Sequence, residues 1–157
     1  YMSDEVRMNG ADAAINCLEA EGVEYVFGYP GVAICPFYDS LLGSFIKTIL
    51  VSQEKNAAHE ASGYARISGR TGDVAVTSGP GAENLITGIA TAFADSIPMV
   101  CITGQVDSNQ MGSDVFQEAD ISGAVESFVK YSYIVRDALE VAQIFKEAFF
   151  ISGSGRK

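Results

Sequence analysis

Asp73-Val74-Ala75-Val76-Thr77 followed by Ser78-Gly79-Pro80-Gly81 is the stretch that decides the fold. The first five residues have strand character, and the next four make a tight loop. A helical period starts directly after it: Leu85, Ile86, Ile89, Ala90 and Phe93 share one face of a 3.6-residue repeat. Strand, glycine turn and helix in so short a span form the building unit of a parallel sheet. Parallel neighbours cannot be joined by a hairpin, and a helix supplies the crossover they need.

The same unit recurs outward from it. Toward the N-terminus, Asn9 is placed to cap a helix reaching about Glu21, with Ala11, Ala14, Ile15 and Leu18 as its apolar stripe and Gly22 as its stop. Val23 to Phe27 reads as a short buried strand, Gly28-Tyr29-Pro30-Gly31 as a turn, and Pro36 to Leu42 as a helix that tolerates proline near its start. Thr48 to Val51 is a second strand. The helix after it, from about Gln53 to Ser68, has a small inner face of Ala57, Ala58, Ala61, Tyr64 and Ala65. Toward the C-terminus, Pro98 introduces a strand over Met99 to Thr103, and a long loop runs from Gly104 to Asp114. A short helical piece is expected over Asp120 to Val125, a further strand over Tyr131 to Val135, and a last helix over Ala138 to Ile151. Strand and helix alternate with no repeat and no linker. The fold class is therefore α/β, a doubly wound, mainly parallel sheet flanked by helices, with residues 1–157 as a single domain. Ligands bind such sheets outside the carboxyl ends of the strands, which directs attention to the loops at Gly28, Ser52, Ser78 and Gly104.

Composition narrows the function classes. Apolar residues make up 48% of the 157, enough for a packed core. The formal net charge of −10 offers no basic footprint for nucleic acid and none for anionic lipid, so neither nucleic acid nor membrane is an expected partner. Three widely spaced cysteines (Cys17, Cys35 and Cys101) sit among apolar neighbours without a C-x-x-C, which fits small core thiols in a reduced, cytoplasmic compartment. The polar, acidic start at Ser3-Asp4-Glu5 is wrong for a signal peptide.

The loops carry several readings. G-x-G-x-x-G does not follow the first strand and no P-loop occurs, so Gly79-Pro80-Gly81 reads either as an anion-binding helix start or as a plain turn. Glu54 falls in the first turn of its helix, at the carboxyl end of a strand. It serves either as a carboxylate complementing the helix dipole or as one facing the ligand crevice, able to hydrogen-bond a ring nitrogen. His59 is the lone histidine, cannot form a histidine cluster for a metal, and reads as structural. Glu118 and Asp120 read as a helix start rather than an acid–base pair, and Lys130 as a solvated lysine before a strand.

Taken together, the segments resemble the acetolactate synthase branch of the thiamine-diphosphate enzymes. The matching stretches are Val26-Phe27-Gly28-Tyr29-Pro30-Gly31, Glu54 with Ala57-Ala58-His59, Gly63-Tyr64-Ala65-Arg66, and Thr77-Ser78-Gly79-Pro80-Gly81-Ala82 with Asn84-Leu85. Asp95-Ser96-Ile97-Pro98, Thr103-Gly104-Gln105-Val106 and Phe116-Gln117-Glu118-Ala119-Asp120-Ile121 complete the set, in an order that covers nearly the whole chain. What the resemblance implies is the aminopyrimidine-binding (PYR) domain of a 2-oxo-acid decarboxylase or carboligase, most closely one that makes 2-acetolactate and CO2 from two pyruvates. Glu54 matches the family's glutamate, which hydrogen-bonds N1′ of the aminopyrimidine and so promotes removal of the thiazolium C2 proton. The cofactor then serves as electron sink. Tyr29, Gly31, Pro80 and Asn84 match positions lining the aminopyrimidine pocket, and Phe116, Gln117 and Lys130 match positions near the substrate.

The resemblance also implies partners. In the family, thiamine diphosphate and its Mg2+ are held by a separate PP domain of another subunit, which makes a homo-oligomer the expected active form. The G-D-G motif of that domain has no counterpart here, nor has the central domain, which carries FAD in some members, so the chain is inactive alone on this reading. The family's PYR domain continues past Arg156 into one more strand, which this chain is expected to lack. Three positions depart from the pattern: Gln53 stands where the family has histidine, Val32 where it has a second glycine, and Asp107-Ser108-Asn109 where it has proline. Two alternatives are carried beside the main reading. One is the small PYR subunit of a split sulfopyruvate or phosphonopyruvate decarboxylase, and the other is a non-catalytic binding or assembly module of the same fold.

Overall fold

In the computed structural model, which describes residues 8–105 and 121–156, the strand–turn–helix units stack as the sequence predicts. Strands β1 (Tyr25–Tyr29), β2 (Lys47–Leu50), β3 (Gly72–Val76) and β4 (Met99–Thr103) form one sheet in the order β2-β1-β3-β4. Every pairing is parallel, with Phe27 opposite Val74 and Val76 opposite Thr103 fixing the register. All five residues of β3 are buried, as expected of a central strand covered on both faces.

Helices cover each face. On one side α1 (Gly10–Ala20), α2 (Cys35–Leu41) and α7 (Val141–Gly153) pack Leu18, Phe37, Leu41 and Phe149 against Val26, Ala75 and Val100. On the other, α3 (Glu54–Ser68) and α5 (Ile86–Ala94) pack Ala57, Ala58, Ala61, Leu85 and Ile89 against Phe27, Val74 and Val76. The small residues of α3 are fully buried, which brings that helix close to the sheet. At Gly28 the backbone tolerates no side chain. A Cβ there would collide with the Ala75 carbonyl oxygen and with the hydroxyl of Tyr38, which itself donates to Ala75 O at 2.7 Å. Tyr38 is half-buried, and burial pushes its pKa up to about 12.

Several expectations shift in register. Asn9 caps α1 as predicted, its Oδ1 accepting from the Asp12 N–H at 2.8 Å. The first strand, however, begins two residues late. The N–H groups of Gly22 and Val23 are taken by Glu19 O and Leu18 O, closing the helix end, so Val23 belongs to the helix exit and not to the sheet. The helix after Gly79 is two pieces, α4 (Pro80–Glu83) and α5, joined at a tightened turn in which Leu85 N–H bonds Ala82 O. A three-residue 3-10 turn, Val32–Ile34, leads into α2. The helical piece expected over Asp120 to Val125 is α6 (Ile121–Val125).

Two readings are corrected. Tyr131 to Val135 is not a strand. No strand lies beside it among the described residues, and this run and β4 both line a cavity of about 320 Å³. Without a neighbour an extended run has no ladder to join. Its side chains bond elsewhere, Tyr133 donating to Glu147 Oε2 at 2.9 Å. The cysteines are not uniformly core: Cys17 and Cys101 are half-buried, but Cys35 is exposed. It opens α2 beside the Gly31 turn, and its thiol donates to Gly31 O at 3.3 Å.

Candidate functional site

The carboxyl ends of β1, β2 and β3 gather the residues that the loops contribute. Tyr29 is the last residue of β1 and is 42% exposed, and Pro30 and Gly31 turn the chain away from the sheet. Beyond β2, extended Gln53 caps α3, and Glu54 is its first residue. After β3, buried Thr77 and Ser78 lead to Gly79, at φ 59°, then to Pro80 and Gly81 in α4 and Asn84 at that helix's C-cap. Beyond β4, Gly104 runs so close to Ala33 that a Cβ on it would lie 2.8 Å from the Ala33 carbonyl oxygen. The loop after β4 is thus held against the turn after β1 at the main-chain level.

Glu54 is half-buried at the centre of this arrangement. Its Oε2 accepts a hydrogen bond from Asn84 Nδ2 at 2.9 Å, the single hydrogen bond that a described residue gives this side chain. Its Oε1 lies 3.2 Å from where a Cβ on Gly81 would stand. Two causes therefore act on one carboxylate. The start of α3 places its charge at the positive end of a helix dipole, and Asn84 fixes its rotation, leaving the other oxygen open. An oriented carboxylate with one open oxygen is suited to sharing a proton with a weakly basic nitrogen. The two readings of Glu54 in the sequence are compatible, since a helix start is also what aims the group.

Of the residues expected at the site, Asn84 hydrogen-bonds Glu54, Gly31 lies against Thr77, which Gly81 meets next to Glu54, and Tyr29 and Pro80 belong to the loops that carry Gly31 and Gly81. Phe116 and Gln117 lie outside the described residues, as do Glu118, Asp120 and the 107–109 loop. Lys130 is not part of the cluster. Its ammonium donates to the carbonyl oxygens of Ile151 and, at 2.6 Å, of Ser154, so it ties down the end of α7 instead of standing free in solvent. His59 is exposed on α3. Val32, at the position of the second glycine, is 81% exposed and leaves the crevice floor uncrowded.

Thr77 and Gly81 carry no individual role in the sequence reading, yet both are built into the floor of the cluster. A Cβ on Gly31 would lie 2.5 Å from Thr77 Cβ, and one on Gly81 would lie 2.6 Å from Thr77 Cγ2. The signal was the alternation of glycines around Pro80, which marks close main-chain approach without saying what is approached. Three buried polar atoms have no hydrogen-bond partner among the described residues: Asp73 Oδ1, Thr77 Oγ1 and Ser78 Oγ. Two of the three are adjacent, in the loop that forms this floor. Among the described residues no group of three or more His, Cys, Asp or Glu is placed to hold a metal ion, and no helix is long and apolar enough to cross a membrane.

A family described as "Thiamine pyrophosphate enzyme, N-terminal TPP binding domain" matches residues 8–124. An acetolactate synthase large subunit from Haemophilus influenzae is 52% identical over 152 residues, 96% of this chain and 26% of that protein. A probable acetolactate synthase large subunit from Methanococcus aeolicus is 50% identical over 95% of this chain and 25% of its own length. The isozyme 2 large subunit of acetolactate synthase from Escherichia coli is 49% identical over 95% of this chain and 27% of its own. The chain thus spans about a quarter of the length of the curated relatives it matches.

Proposed function

We propose, for a chain that belongs to the thiamine pyrophosphate enzymes through their N-terminal TPP-binding domain, that it forms the aminopyrimidine half of the active site of an acetolactate synthase acting on pyruvate. The observation that carries this reading is the Glu54 carboxylate, held through one oxygen by Asn84 and left open at the other, at the carboxyl end of a parallel strand. The residues fit the cofactor. The open oxygen offers a place for a proton shared with a ring nitrogen, and Gly31 and Gly81 draw the flanking loops together around it.

When bound, thiamine diphosphate supplies the acidic carbon and the electron sink for decarboxylation of a 2-oxo acid. This chain's residues orient the ring and exchange its proton. Glu54 shares a proton with N1′, Asn84 holds the Glu54 carboxylate at its angle, and Tyr29, Gly31 and Pro80 line the ring's edge. Phe116 and Gln117 are assigned to the substrate side. Lys130 was matched to the same side, but its bonds to α7 support a structural duty first. Mg2+ and the diphosphate are assigned to the PP domain of a second subunit, so the active form is an oligomer, and FAD use belongs to a central domain outside this sequence.

The reading that this domain takes one further strand has its own support. Among the described residues strand β4 is an edge of the sheet, and an apolar cavity lined by Val100, Ile102, Phe145 and Ala148 is lined also by residues 129–135. A strand laid there would pair with β4 and give the 131–135 run the neighbour it lacks.

The test is Glu54→Gln in the full-length protein, with thiamine diphosphate, Mg2+ and pyruvate. Removing a positioned proton-transfer group lowers kcat by about 10²–10⁴-fold. Wild-type turnover in that variant would refute the assignment. Turnover of sulfopyruvate or phosphonopyruvate in place of pyruvate would replace this reading with that of a split decarboxylase.

A further inference from the structure

At the floor of the crevice one side chain is pressed from both sides by main chain. A Cβ on Gly31 would lie 2.5 Å from Thr77 Cβ and 2.7 Å from Thr77 Oγ1, and one on Gly81 would lie 2.6 Å from Thr77 Cγ2 and 3.2 Å from Glu54 Oε1. The turn after β1 therefore leans on Thr77 at its Cβ and on both of its branches, and the first turn of α4 leans on its methyl, beside the Glu54 carboxylate. Thr77 is 8% exposed. Its hydroxyl is sealed from solvent and has no hydrogen-bond partner among the described residues. What the described residues grip is the shape of this side chain, met by main chain at both of its branches.

We propose that Thr77 is a positioning residue for Glu54. Its branched side chain spaces the Gly31 turn from the Gly81 turn, and its Cγ2 methyl is the stop against which Gly81 and the Glu54 carboxylate come to rest. The inference rests on the reading of Glu54 as the ring-binding acid. It inverts the usual order of conservative replacements. Thr77→Val keeps both branches and strands no partner, so it is tolerated. Thr77→Ser keeps the hydroxyl but deletes the methyl, so Glu54 drifts.

The experiment compares the full-length wild type, Thr77→Val and Thr77→Ser by three readouts: thermal midpoint without cofactor, calorimetric Kd for thiamine diphosphate with Mg2+, and kcat and KM for pyruvate. Thr77→Val is expected to melt at or above the wild-type midpoint, with Kd and kcat unchanged. Thr77→Ser is expected to weaken Kd and to lower kcat, by on the order of 10–10²-fold for an ångström-scale misplacement, with KM for pyruvate unchanged. A purely structural role would instead make binding follow the thermal midpoint in both variants.

Impaired binding or kcat in Thr77→Val overturns the proposal, and so do wild-type values in Thr77→Ser. An impaired Thr77→Val overturns the proposal whether or not the serine variant folds. Failure of the underlying reading looks different. In that case the wild type does not bind thiamine diphosphate, or Glu54→Gln turns over at the wild-type rate.

Discussion

Replacing Asp73 by valine should make this domain more stable at neutral pH, although it removes a charged residue from an otherwise apolar strand. Asp73 lies at the amino end of β3, away from the crevice, and is 2% exposed. Its Oδ1 has no partner among the described residues, and the nearby cation, Arg70, is already paired with Glu24 at 2.6 Å. Burial first, and then the charge of Glu21, hold the Asp73 carboxyl well above the usual range. In the unfolded chain this group titrates near 3.9. Because the folded value is the higher one, the protonated acid's contribution is complete below about pH 3.9 and is lost as pH rises through the folded value. A stranded buried polar group costs about 1–3 kcal/mol. Valine has similar bulk and suits a buried strand, so Asp73→Val should recover about that much at pH 8, and each kcal/mol moves the thermal midpoint by about 2–4 °C at this chain length. Urea unfolding of both forms between pH 4 and pH 8 measures the effect, read from midpoints at constant slope. The gain should shrink toward pH 4, where the unfolded chain too is about half protonated at this group. A variant that is no more stable at pH 8, or a gain that is the same at both ends, would refute the reasoning.

Three other outcomes are expected. Gly28→Ala drives a Cβ into Ala75 O and the Tyr38 hydroxyl, and overpacking of this kind costs about 1–3 kcal/mol or more, readable as a lowered urea midpoint. Asn84→Ala frees the Glu54 carboxylate to rotate, so kcat of the full-length protein should fall by roughly tenfold, the equivalent of about 1.4 kcal/mol, while the fold, read by circular dichroism, stays intact. An alkylating thiol reagent should modify exposed Cys35 first. Cys101, whose thiol burial pushes up to about 12, should resist until the protein unfolds. Peptide mass mapping after timed labelling distinguishes the two.

Much of this was written in the sequence. Period and punctuation determined the alternation of strands and helices, because the rise of apolar residues along each helix face and the glycines between them are local properties. Met99–Thr103 and the α1 cap at Asn9 were legible to the residue. The carboxyl-end rule points to the loops at Gly28, Ser52, Ser78 and Gly104 from topology alone. Tertiary structure alone decided which of those loops touch. That Asn84 holds Glu54, that Thr77 is clamped between Gly31 and Gly81, and that Lys130 turns to α7 are facts about residues far apart in the chain. No local period encodes them. The strand expected at Tyr131 to Val135 fails for the same reason: strand propensity is local, but a strand exists only where a neighbour offers its hydrogen bonds. A helix closes its hydrogen bonds within its own sequence and can be read there, whereas a sheet, like a binding site, is closed by residues that only the fold brings together.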